Sequence, residues 1–216
     1  MFKGKVLLFS LLLVFATAAY AGDVDNCLSD WGASCSGMRV SICPQGDFEF
    51  IRDGCGTGTD YIWVQVKDSG GIGISGIPWS DYWLQAGDPA EELCLCANPV
   101  VADSLTNSNG ETTISGRIAG GGCVISGGLY LAIQGKIVVT VASGCVTVKC
   151  VIIIIVSVDL TADCQVNLSD LGVFGLSYNK QLGDAGFNTC CDYNDDDKCN
   201  LSDFAFMGEH YLHSCF

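Results

Sequence analysis

Two copies of one acidic twelve-residue loop, thirty-three residues apart, restrict the folding of this chain more tightly than any other feature. The first runs Asp159-Leu-Thr-Ala-Asp163-Cys-Gln-Val-Asn167-Leu-Ser-Asp170, and the second Asp192-Tyr-Asn-Asp-Asp196-Asp-Lys-Cys-Asn200-Leu-Ser-Asp203. Each is followed by an apolar, helix-like stretch that ends at a tyrosine, Tyr178 or Tyr211. Oxygen-bearing side chains recur at positions 1, 3, 5, 9 and 12 of both copies. A hard divalent cation needs six to eight oxygens, and a loop of this length supplies them from those positions together with the carbonyl at position 7. The spacing therefore predicts two calcium sites, each opening a short helix.

In the first loop the donors are Asp159, Thr161, Asp163, the Gln165 carbonyl, Asn167 and Asp170. In the second they are Asp192, Asn194, Asp196, the Lys198 carbonyl, Asn200 and Asp203. Position 12 is Asp where calcium loops usually carry the longer Glu, and the sharp turn at position 6 has Cys164 and Asp197 in place of glycine. Thr161 is a poorer donor than Asn194, so the first site is expected to be the weaker. One acidic, Asn-rich loop alone would read as a solvated turn, but two in register favour metal binding. Asn167-Leu-Ser169 and Asn200-Leu-Ser202 also match the glycosylation sequon, yet both asparagines sit at position 9 and are read as ligands first. His210 and His213, three apart on the last predicted helix, have no partner cluster in the sequence and read as a solvent-facing helix end.

The paired segments Val166-Asn-Leu-Ser-Asp-Leu-Gly-Val-Phe-Gly-Leu-Ser-Tyr178 and Cys199-Asn-Leu-Ser-Asp-Phe-Ala-Phe-Met-Gly-Glu-His-Tyr211 share a hydrophobic-Asn-x-Ser-Asp signature. With it, residues 157–216 resemble the dockerin family. The resemblance implies two EF-hand-like loop-helix units that fold with calcium. It also implies docking onto a cohesin-like domain of a scaffold or cell-surface protein, often in polysaccharide-degrading systems. The family's recognition positions fall on Leu168, Ser169, Leu201 and Ser202, a less polar set than common dockerins carry. Five cysteines in this segment depart from the cysteine-poor family pattern and suggest a disulfide-stabilised subgroup.

At the other end, Lys3 and Lys5 precede an apolar run from Val6 to Ala16 and an Ala19-Tyr-Ala21 cleavage pattern, so residues 1–21 read as a signal peptide. The mature chain is expected outside the cell or at its surface. No later segment is long enough to span a membrane, the longest candidate being Val151–Val158. Fourteen cysteines in such a chain imply disulfides rather than catalytic thiols. Nine precede Asp159 and five follow it, so either one bridge crosses between the two parts or each part keeps a free thiol. Cys199, at an inward-pointing loop position, is the candidate for a buried thiol. A net charge of −14 excludes nucleic acid and anionic membrane surfaces as natural partners. From Asp159 onward ten acids face only Lys180 and Lys198, so cation binding and folding are expected to be coupled.

Residues 22–156 read as mostly β and are long enough to hold their own core. Tyr61–Lys67 alternates with period two, Asp68-Ser-Gly-Gly71 marks a turn, and Ile72–Ile77 is expected to be extended. Further strands are predicted at Met38–Ile42, Asp81–Gln85, Thr112–Ile118, Leu129–Gln134, Ile137–Ala142 and Val146–Val158, with Gly120-Gly-Gly122 as a turn. Ile62–Pro78 and Thr106-Asn-Ser-Asn-Gly-Glu-Thr-Thr-Ile-Ser115 resemble bacterial immunoglobulin-like domains, which implies a β-sandwich used for spacing, adhesion or binding. The expected fold is thus a mainly β, immunoglobulin-like N-terminal domain at 22–156 and a small α-helical, dockerin-like calcium domain at 157–216.

No histidine precedes His210 and no Gly-x-Ser-x-Gly elbow is present, which removes histidine-based nucleophilic catalysis from the β region. Asp81, Asp88, Glu91, Glu92, Asp103 and Glu111 would serve glycoside hydrolysis only if folding gathered a pair, and spacing singles out none. Trp79, Tyr82 and Trp83 read as core or edge packing before a sugar platform. The leading reading is a non-catalytic secreted protein docked through its calcium module. The alternatives are a polysaccharide-binding or polysaccharide-active protein anchored by that module, and a calcium-stabilised envelope or matrix protein.

Overall fold

A computed structural model describes residues 23–46, 51–52, 61–88, 90–100, 102–115, 118–140, 147–148 and 151–215. Residues 1–21, read as a signal peptide, lie outside them. The described chain is mainly β with two short α-helices near its C-terminus. Its first sheet is antiparallel, with Ile62–Gln65 between Asp30–Ala33 and Glu111–Ile114. The period-two pattern decides which way its side chains point: Ile62 and Val64 are buried, while Trp63 and Gln65 face outward and are partly exposed. A second sheet places Leu129–Ile133 between Tyr82–Ala86 and Lys136–Ile137. In a third, Arg39–Ile42 pairs antiparallel with Ile51–Arg52 and parallel with Ile154–Ser157. Val156, Ser157 and Val158 are all buried, as are all four residues of Arg39–Ile42, so the apolar run Val151–Val158 is covered on both sides at its C-terminal end, while Ile152 near its start is exposed. Three further pairs join Leu93–Val100 to Ile118–Gly122, Val139–Thr140 to Thr147–Val148 and Lys180–Gln181 to Lys198–Cys199.

The sheets of the β region share one core, in which Trp31, Met38, Ile62, Ile114, Leu84, Leu131 and Ile155 are fully buried. A second cluster lies beneath the helices and mixes residues from both sides of position 157. Cys43, Val156 and Val158 pack there with Val166, Phe174, Tyr193, Cys199 and Met207. Three disulfides, Cys94–Cys164, Cys96–Cys215 and Cys123–Cys190, tie the β region to the helical one. Cys27 and Cys35 are also in disulfides. Both options left open by the cysteine count are exceeded: three bridges cross, and Cys43, Cys191 and Cys199 stay outside disulfides on either side.

Several local expectations change. Ile72–Ile77 forms no strand. The Asp68 turn closes as expected, with the Gly71 N–H donating to the Asp68 carbonyl at 2.9 Å. The chain then buries Ile74 and Ile77 from turns rather than from a sheet. The expected turn Gly120–Gly122 is instead the end of a strand paired with Leu93–Leu95. Tertiary packing selects glycine there, because a Cβ on Gly121 would overlap the Asp159 carboxylate, and Gly122 sits at φ 98° against the Glu92 carbonyl. The glycine run is the bed on which the first acidic loop rests. Strands Asp30–Ala33 and Leu93–Val100 were not expected, since neither shows clean alternation. Tyr82 is buried, but Trp79 and Trp83 are 53% and 45% exposed and are not core.

Candidate metal centre

Strand Ile154–Ser157 delivers Asp159 to the start of the first loop. The Ser157 hydroxyl accepts the Asp159 N–H at 3.1 Å, and the Asp159 carbonyl accepts the Gly122 N–H at 2.7 Å. From there the two loops repeat one pattern of backbone hydrogen bonds, with Asp203 taking the N–H of Tyr193 at position 2 in addition to that of Asn194, the counterpart of Thr161. At position 1, Asp159 accepts the N–H groups of Asp163 and Cys164 at 3.3 and 2.8 Å, and Asp192 accepts those of Asp196 and Asp197 at 3.1 Å each. At position 12, Asp170 accepts the N–H groups of Thr161 and Asn167 at 3.0 and 2.8 Å. Asp203 accepts those of Tyr193 and Asn200 at 2.8 and 2.9 Å. At position 5, Asp163 and Asp196 accept the N–H of Gln165 and Lys198 at 3.0 Å. Positions 4 and 6 have positive φ in both copies: 55° and 67° at Ala162 and Cys164, 58° and 62° at Asp195 and Asp197. Asp tolerates this left-handed turn, whereas Cys164 is held in it by its bridge to Cys94.

Each loop runs into a helix, α1 (Leu168–Ser177) and α2 (Leu201–Glu209). The caps explain why the helices begin there. Asn167 and Asn200 accept the N–H of Ser169 and Ser202 at 2.8 Å, and Asp170 and Asp203 close capping boxes. These two asparagines, the sequon residues, are therefore engaged with their own helices. Their amides also reach Asp163 and Asp196 at 3.4 and 3.2 Å.

The pairing between the units is reciprocal. Val166 of the first loop zips to the segment after α2, donating to the His213 carbonyl and accepting from Leu212, both at 2.8 Å. Cys199 of the second loop lies opposite Lys180, after α1, and accepts from Asn179 at 2.8 Å. Asn179 and Leu212, one repeat apart, share φ values of 62° and 70°. The duplicated sequence thus folds into two units related by a pseudo-two-fold.

Electrostatics fit an all-oxygen cation site. Burial, and then the Asp170 charge, pushes Asp159 up to about 6. Burial likewise raises Asp192, against the Arg39 charge, and Asp203. Asp159, Asp163 and Asp170 bring ligand atoms within 4.8 Å of one another; among the described residues the first loop alone gathers three carboxylates this closely. That arrangement fits a hard divalent cation, which would relieve the like-charge crowding that burial aggravates. Asp195, at position 4 of the second loop, pairs with Arg39.

Arg39 is the residue that sequence reasoning missed. Buried on strand Arg39–Ile42, it pairs with Asp195 at 3.1 Å and donates to the carbonyls of Thr189, at 3.1 Å, and Asp192. It therefore braces the entry of the second loop from the β region. The signal was present in the sequence as a lone charge inside the apolar run Met38–Ile42.

Leu168 and Leu201 are 70% and 68% exposed, and Ser169 and Ser202 are exposed beside them. Leu201 also lines an open apolar groove of about 430 Å³ with Leu171, Phe174, Gly175, Tyr178 and Phe204. The histidines are not a solvent-facing end: His210 is buried, its Nδ1 lies 3.3 Å from Nδ1 of His213, and that atom lies 3.3 Å from the Cys43 sulfur. The sequence could not show Cys43 as the third member, because 167 residues separate it from His210.

The β-region carboxylates do not gather into an acid–base pair. Asp103 is bonded to Thr113 and Ser115, Glu111 to Asn107 and Asn109, and Asp81 to Gln134. Asp88, Glu91 and Glu92 share a cleft, but Glu91 is committed to the N–H groups of Ile125, Ser126 and Gly127 at 2.7–2.8 Å.

No family model and no curated protein matches the sequence. Among solved structures, an N-terminal interface mutant of a type II Cohesin-X-Dockerin complex from Acetivibrio cellulolyticus aligns at 15% identity and a TM-score of 0.29, over 85% of this chain and 96% of that one. A C-terminal interface mutant of the same type of complex aligns at 16% identity and a TM-score of 0.28, over 83% and 97%. At these TM-scores the matches add nothing to the fold, which stands on the geometry above.

Proposed function

We propose that the chain is a secreted, non-catalytic protein whose residues 157–216 form a dockerin-like module with two calcium sites, docking residues 22–156 onto a cohesin-like domain. In this reading the β region is an immunoglobulin-like sandwich, its sheets sharing one core. The observation that carries the proposal is the pseudo-two-fold repetition of loop geometry: caps, left-handed turns and buried end carboxylates recur thirty-three residues apart. Calcium, when bound, supplies the positive charge that balances the converging carboxylates. Asp159 and Asp170 tie the first loop's backbone, Asp192 and Asp203 tie the second, and the capped helices present Leu168, Ser169, Leu201 and Ser202 outward.

The test is calorimetric titration of calcium into the full oxidised chain, then of a type II cohesin domain into the calcium-loaded form. Two equivalents of calcium, one of them lost in Asp170→Ala, support the metal sites. Cohesin binding that disappears in the Leu168→Asp/Leu201→Asp double variant supports the docking face, and calcium binding without cohesin binding would leave a structural role only.

A second reading has its own support: exposed Trp83 lines an open groove that also carries Asp81, Gln85 and Gln134, an aromatic face beside polar side chains as a sugar platform has. Retention on immobilised polysaccharide, lost in Trp83→Ala, would favour it.

A further inference from the structure

The geometry points to a third metal site, built from Cys43, His210 and His213 and suited to zinc rather than calcium. Its donors are one sulfur and two imidazole nitrogens, a borderline-soft set that a hard, oxygen-seeking ion does not use. Their ligand atoms lie within 4.8 Å of one another. Both Nδ1–Nδ1 and Sγ–Nδ1 separations are 3.3 Å. A tetrahedral zinc ion with Zn–N near 2.0 Å and Zn–S near 2.3 Å sets two nitrogens about 3.3 Å apart and a nitrogen and sulfur about 3.5 Å apart. The two spacings at His213 Nδ1 match those of ligands around one ion, the third edge lies within 4.8 Å, and three protein donors leave a fourth position for water.

The donors come from two distant parts of the chain, Cys43 from one and His210 with His213 from the other, and are held in place before any ion arrives. The Cys43 carbonyl accepts the N–H groups of Gly46 and Gly120 at 2.8 and 3.0 Å, which fixes the strand end that carries the thiol. The His213 N–H donates to the His210 carbonyl at 3.1 Å, and the His213 carbonyl accepts from Val166 at 2.8 Å. Two residues beyond His213, Cys215 is bridged to Cys96, whose sulfur lies 3.0 Å from the carbonyl of Pro44, next to Cys43. Cys43 and His210 are buried, so little solvent has to be displaced on binding. Cys43 also keeps its thiol in a chain that places most of its described cysteines in disulfides, and zinc coordinates such a sulfur as the thiolate. A bound ion would join the β region to the segment after α2 beside the reciprocal ribbon that closes the first acidic loop.

The experiment uses the full oxidised chain, stripped of metal and then saturated with calcium so that the carboxylate loops do not compete. Zinc is added and counted by elemental analysis after desalting, and cobalt is substituted to read the sulfur-to-metal charge-transfer band. The expected result is one zinc per chain and a cobalt–thiolate band in the wild type and in the Cys191→Ser/Cys199→Ser double variant. Both signals should be lost in Cys43→Ser, with zinc affinity lowered more than about 100-fold, beyond the cost of losing an outer-shell partner. His210→Gln and His213→Gln give the same loss while leaving the core thiol in place, so the result does not hang on one variant's folding. Absence of zinc from the calcium-saturated wild type, or a thiolate band that survives in Cys43→Ser, overturns the assignment.

Discussion

Replacing Asp203 by alanine isolates what one buried carboxylate does for the second loop. Asp203 accepts backbone N–H groups from Tyr193 at 2.8 Å and Asn200 at 2.9 Å, and from Asn194. Hydrogen bonds to a charged group contribute about 1.5–3 kcal/mol each, so three of them are worth roughly 4–9 kcal/mol before any offset. Two offsets reduce this. Burial already penalises the Asp203 charge, and removing it relieves repulsion on Asp192. Water can also reach the partly exposed Asn194 and Asn200 once the carboxylate is gone. A net loss of about 3 kcal/mol is expected in excess chelator, where no ion contributes. With saturating calcium present the deficit should widen, by about 1.4 kcal/mol for every tenfold difference in calcium affinity between the proteins. The assay is urea denaturation of both proteins, with and without calcium, followed by far-ultraviolet circular dichroism. A chelator deficit below about 1 kcal/mol would refute the claim that this carboxylate ties the loop together. A deficit that calcium does not widen would refute its role as a ligand.

The remaining predictions concern the joints between the two regions and one surface carboxylate. Removing Cys123–Cys190 by a double alanine substitution opens a loop of 67 residues, or about 55 by the path through Cys94–Cys164, and should cost about 4 kcal/mol in chain entropy. An unchanged urea midpoint would mean that the bridge constrains nothing. Arg39→Met leaves the Thr189 and Asp192 carbonyls without their donor; stability should fall by about 1–3 kcal/mol, and calcium affinity should drop at the second loop but not the first, as read by calorimetry. Burial would raise the Glu91 carboxyl, but three backbone N–H groups and the Ser126 hydroxyl outweigh it and hold it below the ordinary carboxylate range. The unfolded chain binds that proton more tightly, so the contribution is complete above the ordinary range and is lost as pH falls through the depressed folded value. The stability gap between wild type and Glu91→Gln should accordingly shrink toward acid pH, and a gap that grows would contradict the assignment. Phe174→Ala, at the centre of the ring cluster with Tyr178, Tyr193 and Phe204, should destabilise by about 3–5 kcal/mol in thermal unfolding.

Much of the acidic module was legible because its information is local. The asparagines at position 9 and the aspartates at position 12 cap helices that begin one residue after each asparagine, and hydrogen bonds within a dozen residues decide that outcome. The strand at Ile62–Gln65 was legible for a related reason, since alternation over four residues fixes which side is buried; Tyr82–Ala86 alternates too, whereas Leu129–Ile133 is buried at four of its five positions. Gly120–Gly122 was misread because its composition is that of a turn, while its reason for being glycine is a carboxylate nearly forty residues later.

By itself the sequence determined the repeat, the donor pattern, the caps and the mostly β character of the first region, all of which depend on spacing along the chain. Tertiary structure alone decided that Arg39 braces the second loop, that three disulfides cross between the regions, and that Cys43 meets His210 and His213. Those relations join residues 67 to 170 positions apart. Contacts of that kind leave no periodicity in a single sequence, because they are set by how separately formed elements stack and not by the order in which residues follow one another.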